Sequence, residues 1–457
     1  MMRNRLLMSV LILGCVDSLG AQNCDQAPTG LVPLTEMGST RYHGFPGGLY
    51  PNASNQMPSA HASLGMALSK TLTPLDTQGK PATNGKIVLL SIGMSNTTQE
   101  FSYFERLVAM DIQHNDNLVL VDGAVGGQDA SKVADPKSNY WTVVQQRLAA
   151  AGVSAGQVQA FWLKEAMANP TNAFPVHAQT LRDYLIQIAQ NLQARFPNGK
   201  LCYVSSRIHA GYATTTLNPE PFAYESGFSV KWLIERQIQG DMALNPDPKK
   251  GTVKAPWLAW GPYLWADGLK ARLDGLQWWC DEFASDGTHP SDAGRWKVAD
   301  LLMQHFRNDP TAQAWYYGGT KQASANVILY GSPCRGKTGD PVTQVFGSPT
   351  LGNDKFGIGE SNIPPSSIAV AMVSNRRNFG MLGYKCDLLV DLQSVVFFHP
   401  IVTTTQGTVH MLIPVPNHPS MLAAELYCQY LNLDPGGTYV ALGGVSLSRG
   451  IHVMIGL

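Results

Sequence analysis

Lys86-Ile87-Val88-Leu89-Leu90-Ser91-Ile92-Gly93-Met94-Ser95-Asn96 is the stretch on which the fold turns. Its apolar run, 87–92, reads as a strand buried on both faces. The run ends in Gly and Ser just where a helical pattern begins. Over 98–110, Phe101, Phe104, Leu107 and Val108 recur on one face. A buried strand handing over to an amphipathic helix is the opening of a βα unit.

The same alternation continues outward. Strands are predicted at 117–121, 158–163 and 200–205, and helices at 140–151, 177–196, 228–239 and 291–307. Pro197-Asn198-Gly199 stops the longest helix, and Ser291 or Asp292 stands at the start of the last. Strands alternating with helices imply an α/β domain, a parallel sheet covered on both faces. Ser95, the pair Gly126-Gly127 and Lys164 each fall just after a predicted strand. That is the end where such sheets carry their chemistry.

The texture differs on either side. Residues 21–84 are rich in Gly, Pro, Ser and Asn, with Tyr42, Phe45 and Tyr50 among the glycines, and read as an irregular arm wrapping the next domain. Beyond about residue 320 short strand-like runs at 327–330, 367–373, 388–390, 408–413 and 451–455 are punctuated by Gly, Pro and Asn. They predict a C-terminal all-β sandwich. The expected division is 1–20, 21–84, 85–318 and 319–457.

At 457 residues the chain is long enough for more than one core. Its 33 basic and 33 acidic side chains balance, and only 14% of residues are charged. Nothing in that balance points to nucleic acid or an anionic membrane; a neutral or weakly charged substrate fits better. Arg3 and Arg5 followed by an apolar stretch at 6–16 and Ser18-Leu19-Gly20 read as a bacterial export signal cleaved after Gly20. The rival is lipoprotein processing at Cys15, where Leu13 is a poor fit. No later segment approaches the length of a membrane span. The expectation is a secreted or periplasmic protein. Its six remaining cysteines, Cys24, Cys202, Cys280, Cys334, Cys386 and Cys428, are free to form disulfides of unspecified pairing. None lies at zinc-like spacing, so no metal is expected.

Asp286-Gly287-Thr288-His289-Pro290 carries the sharpest chemical signal. A carboxylate three residues before an imidazole, inside a Gly/Pro turn, would orient the ring and stabilise its charged form. That is what a general base needs. The missing partner is a nucleophile, and Ser95 is the candidate. Taken singly, Ser95 reads equally well as part of a helix cap, and the turn as an ordinary turn.

Gly93-Met94-Ser95-Asn96 resembles the nucleophile block of the SGNH (GDSL-type) hydrolases, nearest the Gly-Gln-Ser-Asn variant of their carbohydrate and sialate acetylesterase branch. Asp122 to Gln128 (Asp-Gly-Ala-Val-Gly-Gly-Gln) is similar to the second block, and 286–290 to the last; the resemblance spans roughly 86–306. It implies a three-layer α/β/α, flavodoxin-like catalytic domain at 85–318. It further implies a Ser95–His289–Asp286 mechanism through an acyl-enzyme, with oxyanion donors from the N–H groups of Ser95 and of Gly127 or Gly126. Two departures stand out. Met94 replaces a polar residue, and Phe161-Trp162-Leu163-Lys164-Glu165 lacks the third block's oxyanion Asn. Lys164 would substitute as a donor, or else pair with Glu165 or another acid.

Substrate contacts are expected at Asn96, Arg207 and Glu225, with a structural ion pair as the other reading of the last two. The segment 218–227 reads as a surface loop. Trp257, Trp260, Tyr263, Trp265, Trp278 and Trp279 offer faces for sugar rings, or else pack as core. His61, His209 and His305 have no carboxylate at short spacing. The expected function is a secreted serine esterase acting without a cofactor on small acyl, chiefly acetyl, esters of a small molecule or a polysaccharide. The alternative is a non-catalytic carbohydrate-binding or adhesion protein on the same scaffold. The C-terminal domain is expected to bind carbohydrate or a cell surface.

Overall fold

The computed structural model describes residues 22–26, 28–109, 111, 113–317, 325–383, 386–422, 424–437 and 444–457. The expected leader at 1–20, Cys15 and the 318/319 boundary lie outside the described residues.

After a short hairpin, β1 (Arg41–Tyr42) and β2 (Phe45–Pro46), helix α1 (Ser59–Ser69) forms where the sequence predicts irregular chain. Its small residues hide the periodicity but allow close approach. A Cβ on Gly65 would sit 2.4 Å from the Trp257 indole, so only glycine lets the helix lie against that ring. The His61 ring hydrogen-bonds the Leu258 carbonyl at 2.8 Å, and Trp257 Nε1 donates to the His61 carbonyl at 3.0 Å.

The α/β core follows in order: β3 (Ile87–Gly93), α2 (Ser95–Ala109), β4 (Leu118–Asp122), α3 (Ala130–Ala134), α4 (Tyr140–Ala150), β5 (Val158–Lys164), α5 (Val176–Arg195), β6 (Leu201–Val204), α6 (Phe222–Ile238), β7 (Trp257–Trp260), α7 (Asp292–Asn308) and α8 (Pro310–Tyr316). The strands form one parallel sheet in the order β4-β3-β5-β6-β7. Every residue of β3 and of β5 is buried, which is why β3 opens on the run 87–90 and β5 reads as apolar apart from Gln159 and Lys164. One face packs Phe101, Phe104 and Leu107 of α2 and Val298, Leu302 and Phe306 of α7; the other packs α4, α5 and α6. The chain reverses direction across the sheet between β3 and β5. Ser95 follows β3 at that switch point, beyond the carboxyl ends of the strands, where sheets of this kind carry their sites.

Two local expectations are corrected here. The segment 218–227 is not a surface loop: α6 starts at Phe222, and residues 223–230 are all buried. Of the aromatic cluster, Trp279 keeps partial exposure and the others are core, the second of the two readings given for them. Trp257, Trp265 and Trp278 have no exposed surface, and Trp260 and Tyr263 almost none. Trp257 and Ala259 fill one face of β7, Leu258 and Trp260 the other.

The C-terminal region is antiparallel. It comprises β8 (Asn326–Tyr330), β9 (Val342–Phe346), β10 (Gly357–Ser361), β11 (Ile368–Ser374), β12 (Arg377–Gly383), β13 (Cys386–Val390), β14 (Val395–Val402), β15 (Thr408–Leu412), β16 (Glu425–Leu433), β17 (Val445–Leu447) and β18 (Gly450–Met454). A sheet β15-β10-β9 faces a sheet β14-β11-β16-β18-β8, with β17 paired to β16 and β12-β13 as a separate hairpin. Ile358, Val409 and Met411 meet Val373, Tyr430, Ile451 and Val453 between them. The region is joined to α7 by the ion pairs Arg377–Asp300 and Arg307–Glu425.

Disulfides link Cys24 to Cys280 and Cys334 to Cys386, while Cys202 and Cys428 are free and buried. Two disulfides fit an oxidising compartment. No helix among the described residues is long and apolar enough to cross a membrane.

Candidate active site

Ser95 is the first residue of α2, just past the carboxyl end of β3, and is half-buried. Its Oγ lies 2.7 Å from His289 Nε2 across 194 residues of sequence. His289 Nδ1 in turn lies 2.5 Å from Asp286 Oδ2. With Nδ1–H donating to the carboxylate, Nε2 is left as the acceptor for the serine proton. The side chains of His289 and Asp286 keep 22% and 32% exposure, so the line of three groups borders solvent.

The turn that carries the acid and the base is tightly held. Asp286 Oδ1 accepts from the N–H groups of Thr288 and His289, both at 2.9 Å. Gly287 N–H donates to the Ala284 carbonyl at 2.8 Å, and Ala284 N–H to the His289 carbonyl at 2.8 Å. Gly287 has φ +64°, and a Cβ there would lie 1.9 Å from the Tyr212 carbonyl oxygen. Ser291 then caps α7, with its side chain accepting from Gly294 N–H. Burial alone would raise the Asp286 carboxyl. The His289 ring and the two amides outweigh it and hold the group well below the usual carboxylate range.

Gly126 and Gly127 lie in the loop after β4, which Val125 N–H pins to the Gly93 carbonyl at 2.9 Å. A Cβ built on Gly126 would be 3.8 Å from the Ser95 Cβ, so this backbone flanks the hydroxyl. Gly127 has φ +74° and open space beside it. Among the described residues, neither amide N–H has an acceptor. The loop after β5 is tied to the same wall, since Ala130 N–H donates to the Ala166 carbonyl and Ala168 N–H to Asp129 Oδ2.

Four expected roles are corrected. Lys164 is 1% exposed and donates at 2.5 Å to both carboxylate oxygens of Glu100 on α2. Burial pushes its ammonium down to about 8, against the pull of Glu100. It is committed to that pair rather than aimed at an oxyanion. Asn96 is 1% exposed, and its Nδ2 donates to the Thr288 carbonyl at 2.9 Å, away from any substrate. Arg207, equally buried, reaches the same carbonyl through Nη2 at 3.4 Å. Glu225 is buried between the arm and α5. Tyr42 Oη donates to its Oε1 at 3.0 Å, and its Oε2 lies 3.0 Å from His177 Nδ1. It fastens the arm to the domain.

Sequence reasoning missed Glu100, the partner of Lys164, and Tyr140, whose hydroxyl accepts the Gly93 N–H at 3.2 Å. It also missed the Thr288 carbonyl as a meeting point. None has a local signal, because each acts on a group remote in sequence. Glu165 was named only as a partner for Lys164. It is instead a buried carboxyl whose Oε1 has no hydrogen-bond partner, and burial pushes it well up.

No family model and no curated protein matches the chain. Among solved structures it is similar to a protein of Streptococcus pneumonia assigned provisionally as a platelet activating factor (14% identity, 54% of this chain and 90% of that one, TM-score 0.29). A gut microbial diltiazem-metabolizing enzyme matches at 11% identity over 69% of this chain and 63% of its own, TM-score 0.29. The periplasmic domain of a Salmonella ser. Paratyphi A lipopolysaccharide acetyltransferase matches at 13% identity over 55% and 95%, TM-score 0.27. At these TM-scores the likenesses carry no weight for mechanism.

Proposed function

We propose that this chain is an exported serine esterase of the SGNH type, hydrolysing small acyl esters, chiefly acetyl, through an acyl-enzyme. Ser95 Oγ attacks the ester carbonyl while His289 Nε2 takes its proton, and Asp286 stabilises the resulting imidazolium. The free N–H groups of Gly126 and Gly127, with that of Ser95, receive the oxyanion. His289 returns the proton to the departing alcohol, and water repeats the sequence in reverse roles to release the acid. The catalytic unit is residues 85–318, with the arm at 21–84 and the β-sandwich at 319–457 as appendages. The substrate is a small-molecule or polysaccharide ester.

A single observation supports this reading: the hydrogen-bonded line from the Ser95 hydroxyl through His289 to Asp286 at the partly exposed carboxyl end of the sheet. The adhesion alternative, motivated by the departures at Met94 and Lys164, loses most of its expected sugar-stacking surface, because of the tryptophans named for it only Trp279 is partly exposed.

The test is turnover of p-nitrophenyl acetate by the wild type and by Ser95→Ala. The proposal expects a loss in the variant of at least about a thousandfold. Equal rates would remove Ser95 from the reaction.

A further inference from the structure

Beyond the three groups of the proposed reaction, the Thr288 carbonyl is the most heavily engaged atom near the site. It belongs to the residue between Gly287 and His289, so its position sets the pitch of the imidazole. Two side chains from opposite flanks converge on it. Asn96, one residue after the serine, donates Nδ2 at 2.9 Å, and Arg207, three residues past β6, donates Nη2 at 3.4 Å. Both are fully buried. Arg207 is itself fixed, since its own N–H donates to Ser226 Oγ at 3.0 Å, and Ser226 Oγ donates to the Ala223 carbonyl at 2.6 Å.

The remaining donors of Arg207 make the arrangement more unusual. Nε and Nη1 have no hydrogen-bond partner although no solvent reaches them. A buried guanidinium held only by one neutral carbonyl is retained at a desolvation cost. Burial weighs most against the charge of the Arg207 guanidinium, and the carboxyls of Glu100, Glu220, Glu165 and Asp286 favour it.

We infer that Asn96 and Arg207 are positioning residues that clamp the Thr288 carbonyl, and thereby hold the His289 imidazole in register with the Ser95 hydroxyl. The Asn96 bond joins the nucleophile's own helix to the acid–base turn. It keeps the two halves of the site together even when the Ser95–His289 hydrogen bond is broken during acylation. Arg207 supplies the second point of attachment, which stops the turn from pivoting about the first.

The inference rests on the esterase reading for its kinetic arm only. Purified Asn96→Ala, Arg207→Met and Arg207→Lys are compared with wild type by turnover of p-nitrophenyl acetate. The second measurement is the downfield proton resonance of the His289 Nδ1–H···Asp286 hydrogen bond in the substrate-free protein. Melting temperature and circular dichroism exclude variants that have not folded. Asn96→Ala and Arg207→Met are expected to lose kcat by about ten- to a hundredfold with KM within about twofold, as a misplaced base does. Their downfield resonance is broadened or lost, and Arg207→Lys recovers part of both signals. Folded variants with unchanged kcat and an unchanged resonance would overturn the clamp. A wild type with no Ser95-dependent turnover would overturn the esterase reading alone, since the resonance still reports whether Asn96 and Arg207 hold the imidazole against Asp286.

Discussion

Asp286 accepts hydrogen bonds from one ring nitrogen and two amides, so its charge and its shape have separable effects. Asp286→Asn keeps the shape, but removes the acceptor that fixes the Nδ1–H tautomer. Under the proposed mechanism kcat should fall about a thousand- to ten-thousandfold with little change in melting temperature. A melt and a turnover assay on the same preparation check this. Gly287→Ala tests the backbone instead. At φ +64°, with the Tyr212 carbonyl where a Cβ would go, the turn must shift. The expected result is a stability loss of about 1–3 kcal/mol, read from denaturant midpoints, together with loss of activity. Ser95, Asp286 and His289 were legible because a local turn and a strand end announce them. Asn96, Arg207, Lys164 and Glu225 were singled out as substrate contacts or an oxyanion donor; for Lys164 and Glu225 the other reading, an ion pair, is the one the geometry gives, with partners the sequence did not name. Their partners are the Thr288 carbonyl, Glu100, and the pair Tyr42 and His177, each reached only through tertiary structure.

Among the elements, those with a clean period were the legible ones. β3 and β5 are largely apolar runs, β5 broken only by Gln159 and its terminal Lys164, and α2 shows its apolar face over three turns. The elements missed or misplaced include α1, built from small residues that pack by closeness rather than by size, the start of α6, where Pro219 and Pro221 read as a loop, the short helices α3 and α8, and β7, the fifth strand of the sheet, whose residues read only as an aromatic cluster. In the β-region the informative feature is a buried polar contact between sheets. Glu360 on β10 accepts from Asn432 Nδ2 on β16 at 2.9 Å, and its other oxygen has no partner. Burial raises its carboxyl to about 8, with the Asn432 hydrogen bond opposing. The folded state therefore holds a proton that the unfolded chain releases near 4.5. Stability should fall as pH rises from about 5 toward 8, by at most about 1.4 kcal/mol per pH unit. Denaturant melts at several pH values check this, and Glu360→Gln should make the decline shallower without abolishing it, since burial also raises Glu105, Glu165, Glu220 and Asp387.

At the scale of the molecule, the arm is fastened across the α/β domain. Cys24 is bonded to Cys280, a few residues before the acid–base turn, and Gln22 Nε2 donates to the Cys280 carbonyl at 2.9 Å. The bond closes a span of 256 residues, so removing it with the double variant Cys24→Ser/Cys280→Ser should destabilise the protein by about 3–5 kcal/mol. Comparison of denaturant midpoints measures the difference. The composition shift after the α/β core made the parallel-sheet region and the separate antiparallel β-rich region readable in outline. The disulfide pairing and the fastening of the arm were not readable, because nothing local in the sequence ranks one cysteine partner over another. All of it serves one claim, that the Ser95 hydroxyl is activated by His289. The most direct measurement is labelling with a fluorophosphonate followed by peptide mass spectrometry. A single adduct on Ser95, abolished in His289→Ala, is the predicted result; no adduct, or one formed equally well in that variant, would contradict the claim.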